Sequence, residues 1–224
     1  MSQPVRIDGP WGAIPALLTG APSAARAAIL LRYGLRARME VQLAEAERLA
    51  SAGYAVIIPE APSHGLREDG FLEHLSQTPE PQARARFLEL VARTAEETPA
   101  LVAHLRGLGA RRIIDSGISM GGFVALAAPS VAPEVSGVIA LLASPVWDEH
   151  PRSPHRTPEA WARTPLLAIT ADEDQSVPPA PLRAFCTALG PTATSLEYPG
   201  GHTMAGDDWH HAWARAITWL DALR

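Results

Sequence analysis

The feature that most constrains this chain is the run Gly117-Ile118-Ser119-Met120-Gly121-Gly122. It follows the apolar Ile113-Ile114 and leads into Phe123-Val124-Ala125-Leu126. A β-branched apolar run that gives way within a few residues to helical periodicity predicts a strand, a sharp turn and a helix. On a turn this tight only small residues fit two positions either side of the serine, and the serine is held strained with its hydroxyl exposed. The Met120 N–H is then left at a helix N-terminus, with no carbonyl of its own helix to meet. The plainer reading of Ser119 is a helix cap after a glycine turn.

The remaining segments arrange themselves around that junction. Residues 3–8 and 12–18 read as two antiparallel strands about a Gly-Pro-Trp-Gly turn at 9–12. Strands are predicted at 27–31, 54–58, 112–115, 137–143, 166–170 and 193–198, and helices at 38–52, 120–128, 179–189 and 208–223. A long helical stretch covers roughly 80–107, with Pro99 expected to break or kink it. Strands separated by helices imply an α/β fold, a mostly parallel sheet with helices on both faces. At 224 residues with 47% hydrophobic content the chain suits one domain spanning 1–224, with lid-like insertions at about 66–81 and 145–165.

Composition removes several function classes. All 19 basic residues are Arg, so a Schiff-base amine and a complete phosphate-binding P-loop are excluded. Asn is also missing, which excludes a Cys-His-Asn triad. A net charge of −5 and no basic face argue against nucleic acid and anionic membranes as partners. One cysteine, Cys186, allows no internal disulfide, and its apolar neighbours Leu182, Phe185 and Leu189 point to packing. No apolar run spans a bilayer and residues 1–10 carry no apolar leader, so a cytoplasmic location is expected.

An activated serine needs a base, and eight histidines compete. His202 follows the last predicted strand in Tyr198-Pro199-Gly200-Gly201-His202, where a Pro-Gly-Gly loop lets an imidazole reach the strand ends. His74 and His104 fall in helical stretches, His210 and His211 on the final helix, and His150 and His155 in a Pro-rich crossover. The orienting acid is expected at Asp174, after the strand Leu166–Thr170, with Asp148 as its rival.

The order Ser119, Asp174, His202 is that of α/β-hydrolases, and from Ile14 onward the sequence resembles that superfamily. Ile29-Leu30-Leu31-Arg32-Tyr33-Gly34 stands where the family has a strand ending in His-Gly. Pro59-Glu60-Ala61-Pro62-Ser63-His64-Gly65 resembles its Asp-x-x-x-x-His-Gly loop, and Asp174-Gln175-Ser176-Val177-Pro178 its acid loop. Tyr33 and Glu60 depart from those patterns. The chain looks most like small single-domain bacterial carboxylesterases with dienelactone-hydrolase-like and prolyl-oligopeptidase-like relatives. Dienelactone hydrolases proper carry a cysteine nucleophile where this chain has Ser119.

The resemblance implies an α/β-hydrolase fold with a minimal lid, and an oxyanion hole formed by the backbone N–H groups of Leu35 and Met120, with residue 36 as the alternative to 35. It implies acyl transfer from a small-molecule ester of short-to-medium acyl length, with no metal and no organic cofactor required. Tyr33, Phe71, Leu72 and Trp147 are expected to wall the pocket, and Phe87 either to join them or to enter the core. A peptidase, amidase or thioesterase would use the same triad, and a ligand-binding protein of this fold is the non-enzymatic alternative. The stripe Trp209, Trp213, Ile217, Leu220 reads as packing on the sheet, with a homodimer face as the alternative.

Overall fold

The computed structural model describes residues 2–148 and 150–223. Eight strands form one sheet: β1 (Gln3–Gly9), β2 (Gly12–Thr19), β3 (Ala28–Arg32), β4 (Ala55–Pro59), β5 (Ile113–Ile118), β6 (Gly137–Leu141), β7 (Leu166–Ala171) and β8 (Ala193–Tyr198). Their order is β1-β2-β4-β3-β5-β6-β7-β8. The β1–β2 and β2–β4 pairs are antiparallel and the rest are parallel. Every residue of β3, β4, β6 and β7 is buried, as continuous apolar strands require when helices cover both faces.

Seven α-helices cover the sheet among the described residues: α1 (Leu43–Ser51), α2 (Phe71–Gln77), α3 (Gln82–Ala95), α4 (Thr98–Gly107), α5 (Met120–Val131), α6 (Ala180–Leu189) and α7 (Gly206–Ala222). The α1 and α7 helices meet where Trp209 Nε1 donates to Glu45 Oε1 at 2.7 Å. Successive turns of α7 bury Trp213, Ala216 and Leu220 in the core. The stripe on the last helix therefore packs inward.

The stretch 80–107 is two helices, and Pro99 begins the second of them at its first turn. There the missing proline N–H costs nothing, because the first turn has no carbonyl to accept it. The insertion 66–81 holds α2, and the crossover 145–165 holds two short 3-10 turns. Trp147 and Trp161 of that crossover are fully buried.

After β3 the chain crosses to β4 on one side, and after β4 it returns to β5 on the other. The carboxyl ends of β3 and β5 are therefore the point where the loops diverge and a crevice opens. Leu35 follows the first of these strands and Ser119 the second.

Candidate active site

Ser119 sits between β5 and α5 with φ 53° and ψ −121°, a left-handed region that costs a non-glycine residue roughly 1–3 kcal/mol. The surrounding glycines leave no alternative path for the chain. A Cβ at Gly117 would stand 2.1 Å from the Gly121 oxygen, and one at Gly121 would stand 2.6 Å from the Arg32 carbonyl carbon. The turn is pinned by Ser119 N–H to Leu141 O at 2.9 Å and by Gly121 N–H to Tyr33 O at 3.0 Å.

Three side chains converge at the carboxyl edge. His202 Nε2 lies 2.8 Å from Ser119 Oγ, and His202 Nδ1 lies 2.7 Å from Asp174 Oδ2. The other Asp174 oxygen accepts the backbone N–H groups of Ser176 and Val177, each at 2.9 Å. Asp174 is 3% exposed, whereas the His202 side chain is 30% exposed. A buried carboxylate held by two amides fixes the imidazole with Nδ1 protonated, which leaves Nε2 free to accept the serine proton. Asp148, the rival acid, lies 3.3 Å from Arg84 Nε with its side chain 64% exposed, away from His202.

The backbone N–H of Met120 stands at the start of α5, and that of Leu35 meets no acceptor among the described residues. The Arg36 N–H donates to His64 Nε2 at 3.0 Å. Of the alternatives 35 and 36, the structure thus leaves Leu35 unpaired beside Ser119. An oxygen held between Leu35 and Met120 would meet two donors in a partly enclosed space, the arrangement that stabilises developing negative charge.

Ser119 and His202 open into a cleft of about 350 Å³ lined by Leu35, Arg36, Leu75, Glu80, Ala83, Arg84, Phe87, Phe123, Ser176 and Val177. Phe87 stacks edge-on against Phe123, with ring centroids 5.3 Å apart. The Arg84 guanidinium lies 5.9 and 5.7 Å from those two ring centroids.

The walls expected from the sequence are elsewhere. Tyr33 is 1% exposed, because its hydroxyl turns inward to donate to Glu60 Oε1 and to accept the Ala61 N–H at 2.9 Å. Burial, with the Glu60 hydrogen bond adding to it, pushes the Tyr33 hydroxyl well above the usual tyrosine range. Trp147 is fully buried, its indole N–H bound to Ser144 O at 3.0 Å. Phe71 lines a separate cavity of about 460 Å³ with Trp11 and Glu89, and Leu72 a third of about 300 Å³ with Arg38 and Glu68. The 460 Å³ cavity exceeds the serine cleft in volume, yet none of the three converging side chains reaches it. Four of its polar side chains pair off, His150 with Glu89 at 3.6 Å and Arg152 with Glu96, and the Arg93 guanidinium lies 5.3 Å from the Trp11 ring centroid. Leu75, Phe123, Val177, Arg36 and Arg84 are wall residues without a sequence signal of their own. Phe123 and Val177 lie inside quoted runs, but those runs mark neither as a wall.

Among the described residues, no group of three His, Cys, Asp or Glu side chains is placed to hold a metal ion, and no helix is long and apolar enough to cross a membrane.

The sheet order, the strained serine turn and the placement of the three side chains at strand ends define an α/β-hydrolase fold. The model of the dienelactone hydrolase family matches residues 21–222, and the chain belongs to that family of hydrolases. Among solved structures, TT1662 from Thermus thermophilus is 22% identical over 99% of each chain, with a TM-score of 0.77. A cold-adapted esterase from an Arctic intertidal metagenomic library is 17% identical over 99% of this chain and 93% of its own, with a TM-score of 0.75. The esterase Pf2001 of Pyrococcus furiosus is 15% identical over 100% of this chain and 93% of its own, with a TM-score of 0.72. At these identities the likeness is one of fold. No curated protein matches the sequence significantly.

Proposed function

We propose that the protein is a serine esterase that cleaves carboxylic esters of short-to-medium acyl length. The observation that carries this reading is the hydrogen-bonded line Ser119–His202–Asp174 at the mouth of a 350 Å³ cleft. That volume is near the lower end of small-molecule sites, which run from roughly 300 to 1,000 Å³, and it favours compact acyl groups over extended lipids.

His202 Nε2 takes the proton of Ser119 as Oγ attacks the ester carbonyl carbon. The carbonyl oxygen becomes an oxyanion held by the Leu35 and Met120 N–H groups, and Asp174 stabilises the imidazolium. Collapse of the tetrahedral species breaks the bond to the alcohol, which leaves with the proton from His202. Water then enters, gives its proton to His202 and attacks the acyl-enzyme; the second collapse returns the proton to Ser119 and frees the acid. The family resemblance that placed a cysteine at this position is met here by a hydroxyl, which depends on His202 for activation more strongly than a thiol does.

The test is intact-protein mass after a fluorophosphonate probe, followed by a series of p-nitrophenyl esters. One adduct on the wild type and none on Ser119→Ala is expected, with turnover falling beyond medium acyl chains. No adduct on folded wild type would overturn the serine mechanism. Activity that keeps rising through long acyl chains would overturn the compact pocket. Amide turnover equal to ester turnover would move the assignment to an amidase.

A further inference from the structure

His64 is buried, 1% exposed, and makes two hydrogen bonds with defined direction. Its Nδ1 lies 2.8 Å from Pro62 O, which can only accept, so Nδ1 carries the ring proton. Its Nε2 is then a bare lone pair, and the Arg36 N–H donates to it at 3.0 Å. Arg36 has φ 65°, a conformation that an arginine seldom adopts and that persists only when its surroundings enforce it.

The residues on the other side of Leu35 are anchored as well. Tyr33 O accepts the Gly121 N–H from the serine turn, and Gly34 O accepts the Ala37 N–H at 3.1 Å. Leu35, which lines the cleft, therefore lies between a fixed Tyr33 carbonyl and a fixed Arg36 amide, and its own N–H meets no acceptor among the described residues.

The loop that carries His64 is tied to the same place. Tyr33 hydroxyl and the Leu66 N–H share the two oxygens of Glu60, and Arg67 binds the Glu60 carbonyl at 2.9 Å and Glu97 at 2.6 Å. The Tyr33 ring meets His64 edge-on with centroids 5.6 Å apart.

We propose that His64 is a positioning residue for the oxyanion hole: by accepting the Arg36 N–H it holds the backbone at 34–36 so that the Leu35 N–H faces the oxygen that becomes charged. This rests on the esterase reading above. His64 touches no reacting atom, and its share of the rate comes through the aim of Leu35. Burial lowers the affinity of its ring for a second proton, consistent with a neutral acceptor.

The experiment compares wild type, His64→Ala and His64→Gln as whole chains, using a short p-nitrophenyl ester, an alkyl boronic acid and the product carboxylate. The boronic acid becomes tetrahedral on Ser119 and places an oxygen in the hole, whereas the planar carboxylate reports binding in the cleft. In His64→Ala, kcat should fall about 10- to 100-fold, short of or equal to the loss of a whole oxyanion donor, with KM nearly unchanged. Boronate affinity should fall in proportion and carboxylate affinity should hold. The amide oxygen of His64→Gln should recover much of the rate.

Folded variants with wild-type kcat, or equal losses for boronate and carboxylate, would overturn the proposal. Should His64→Ala not fold, long-range 1H–15N spectra of the wild-type imidazole decide. A ring protonated on Nδ1 alone, with slow exchange of the Arg36 amide, supports the clamp, and a proton on Nε2 overturns it. A wild type inert to esters and to fluorophosphonate would sink the esterase reading, while those spectra would still tell whether His64 holds the loop.

Discussion

Replacing Asp174 by Asn isolates what the carboxylate does, because the substitution keeps size and one acceptor. The Asp174 oxygen that receives the Ser176 and Val177 N–H groups at 2.9 Å must remain an oxygen, since an NH2 there would face two donors. The Asn NH2 is therefore forced to the other position, 2.7 Å from His202 Nδ1. A donor at that place requires Nδ1 to be bare and moves the ring proton to Nε2, which then points at Ser119 Oγ and cannot accept its proton. Asp174 is nearly sealed from solvent, so water cannot take over the orienting bond. The expected loss in kcat is about 10⁴-fold, the scale seen when a triad carboxylate is made an amide. That corresponds to about 5 kcal/mol of barrier. Stability should change little in Asp174→Asn, whereas Asp174→Ala strands two loop amides and should cost about 1–3 kcal/mol. Ester kinetics with calorimetric Tm on both variants and on Asp148→Asn make the assay. More than a tenth of wild-type activity in folded Asp174→Asn, or a loss in Asp148→Asn as large as that in Asp174→Asn, would refute the reasoning.

Four other outcomes can be checked with the same protein. Asp115→Ala leaves the Arg32 guanidinium buried without its carboxylate, now 2.8 Å away on both nitrogens, and should cost about 3–5 kcal/mol in urea unfolding; an unchanged midpoint would show the pair to be dispensable. Gly121→Ala drives a methyl to 2.6–2.7 Å from the Arg32 backbone, so about 1–3 kcal/mol of stability and most phosphonate labelling should be lost, and normal labelling would mean that the turn yields. Burial pushes the Cys186 thiol up to about 11, so an aromatic disulfide reagent at mildly alkaline pH should react only after the chain is unfolded. Tyr33 keeps its proton in the folded chain beyond the pH at which an unfolded tyrosine loses it, so its stabilisation is complete below about pH 10 and declines as pH rises above that. Tm measured through that range should fall less steeply in Tyr33→Phe, with Tyr54, Tyr198 and Cys186 contributing the remaining slope; equal slopes would exclude Tyr33 as the source.

What could be read from the residues was whatever local sterics dictate. Gly117, Gly121 and Gly122 around Ser119 have no room for a Cβ, so a turn of this shape leaves its mark in five or six consecutive letters. The strand runs were equally open, because β3, β4, β6 and β7 are buried throughout and are apolar except for Arg32 and Thr170 near the carboxyl ends of β3 and β7. The cleft walls were hidden for the opposite reason. Phe71, on α2 in the insertion, and Phe87, on α3 just after it, are both aromatic, and which of them meets Ser119 depends on how α2 and α3 lie across the sheet. That is decided by packing against α5, far away in sequence. Trp147 has the size of a wall residue, but its indole N–H finds Ser144 O in the interior and the ring follows. Tyr33 and Glu60 read as two separate departures from the family pattern, 27 residues apart. In space they form one hydrogen bond, so the longer acid matches the longer reach of the phenol, and neither departure makes sense alone.

The strained positions say where the fold is under constraint. Among the described residues, Arg36, Ser63, Ser119, Leu142 and Asp148 are the non-glycine residues with positive φ, between 47° and 65°, and all lie beyond the carboxyl ends of β3, β4, β5 and β6. Backbone of this kind costs roughly 1–3 kcal/mol at each residue, and a lone loop would relax out of it. Here the flanking hydrogen bonds prevent that: Ser119 N–H is held by Leu141 O, Leu142 N–H by Ile169 O at 2.8 Å, and Arg36 N–H by His64. The rigid parallel core thus fixes the serine and the two amide donors, while the partly exposed His202 arrives on a Pro-Gly-Gly loop tethered by Asp174. Such a division suits a reaction in which the oxyanion site must be in place before charge develops. It also places the stability cost at the residues nearest the chemistry. Arg36→Gly, which relieves a positive φ yet keeps the N–H that His64 accepts, should therefore stabilise the fold by about 0.3–1 kcal/mol, the strain relief left after the added chain entropy of glycine, and so raise Tm slightly. A drop in Tm would mean that the Arg36 guanidinium, bound to Leu72 O at 2.8 Å, contributes more than the strain takes away.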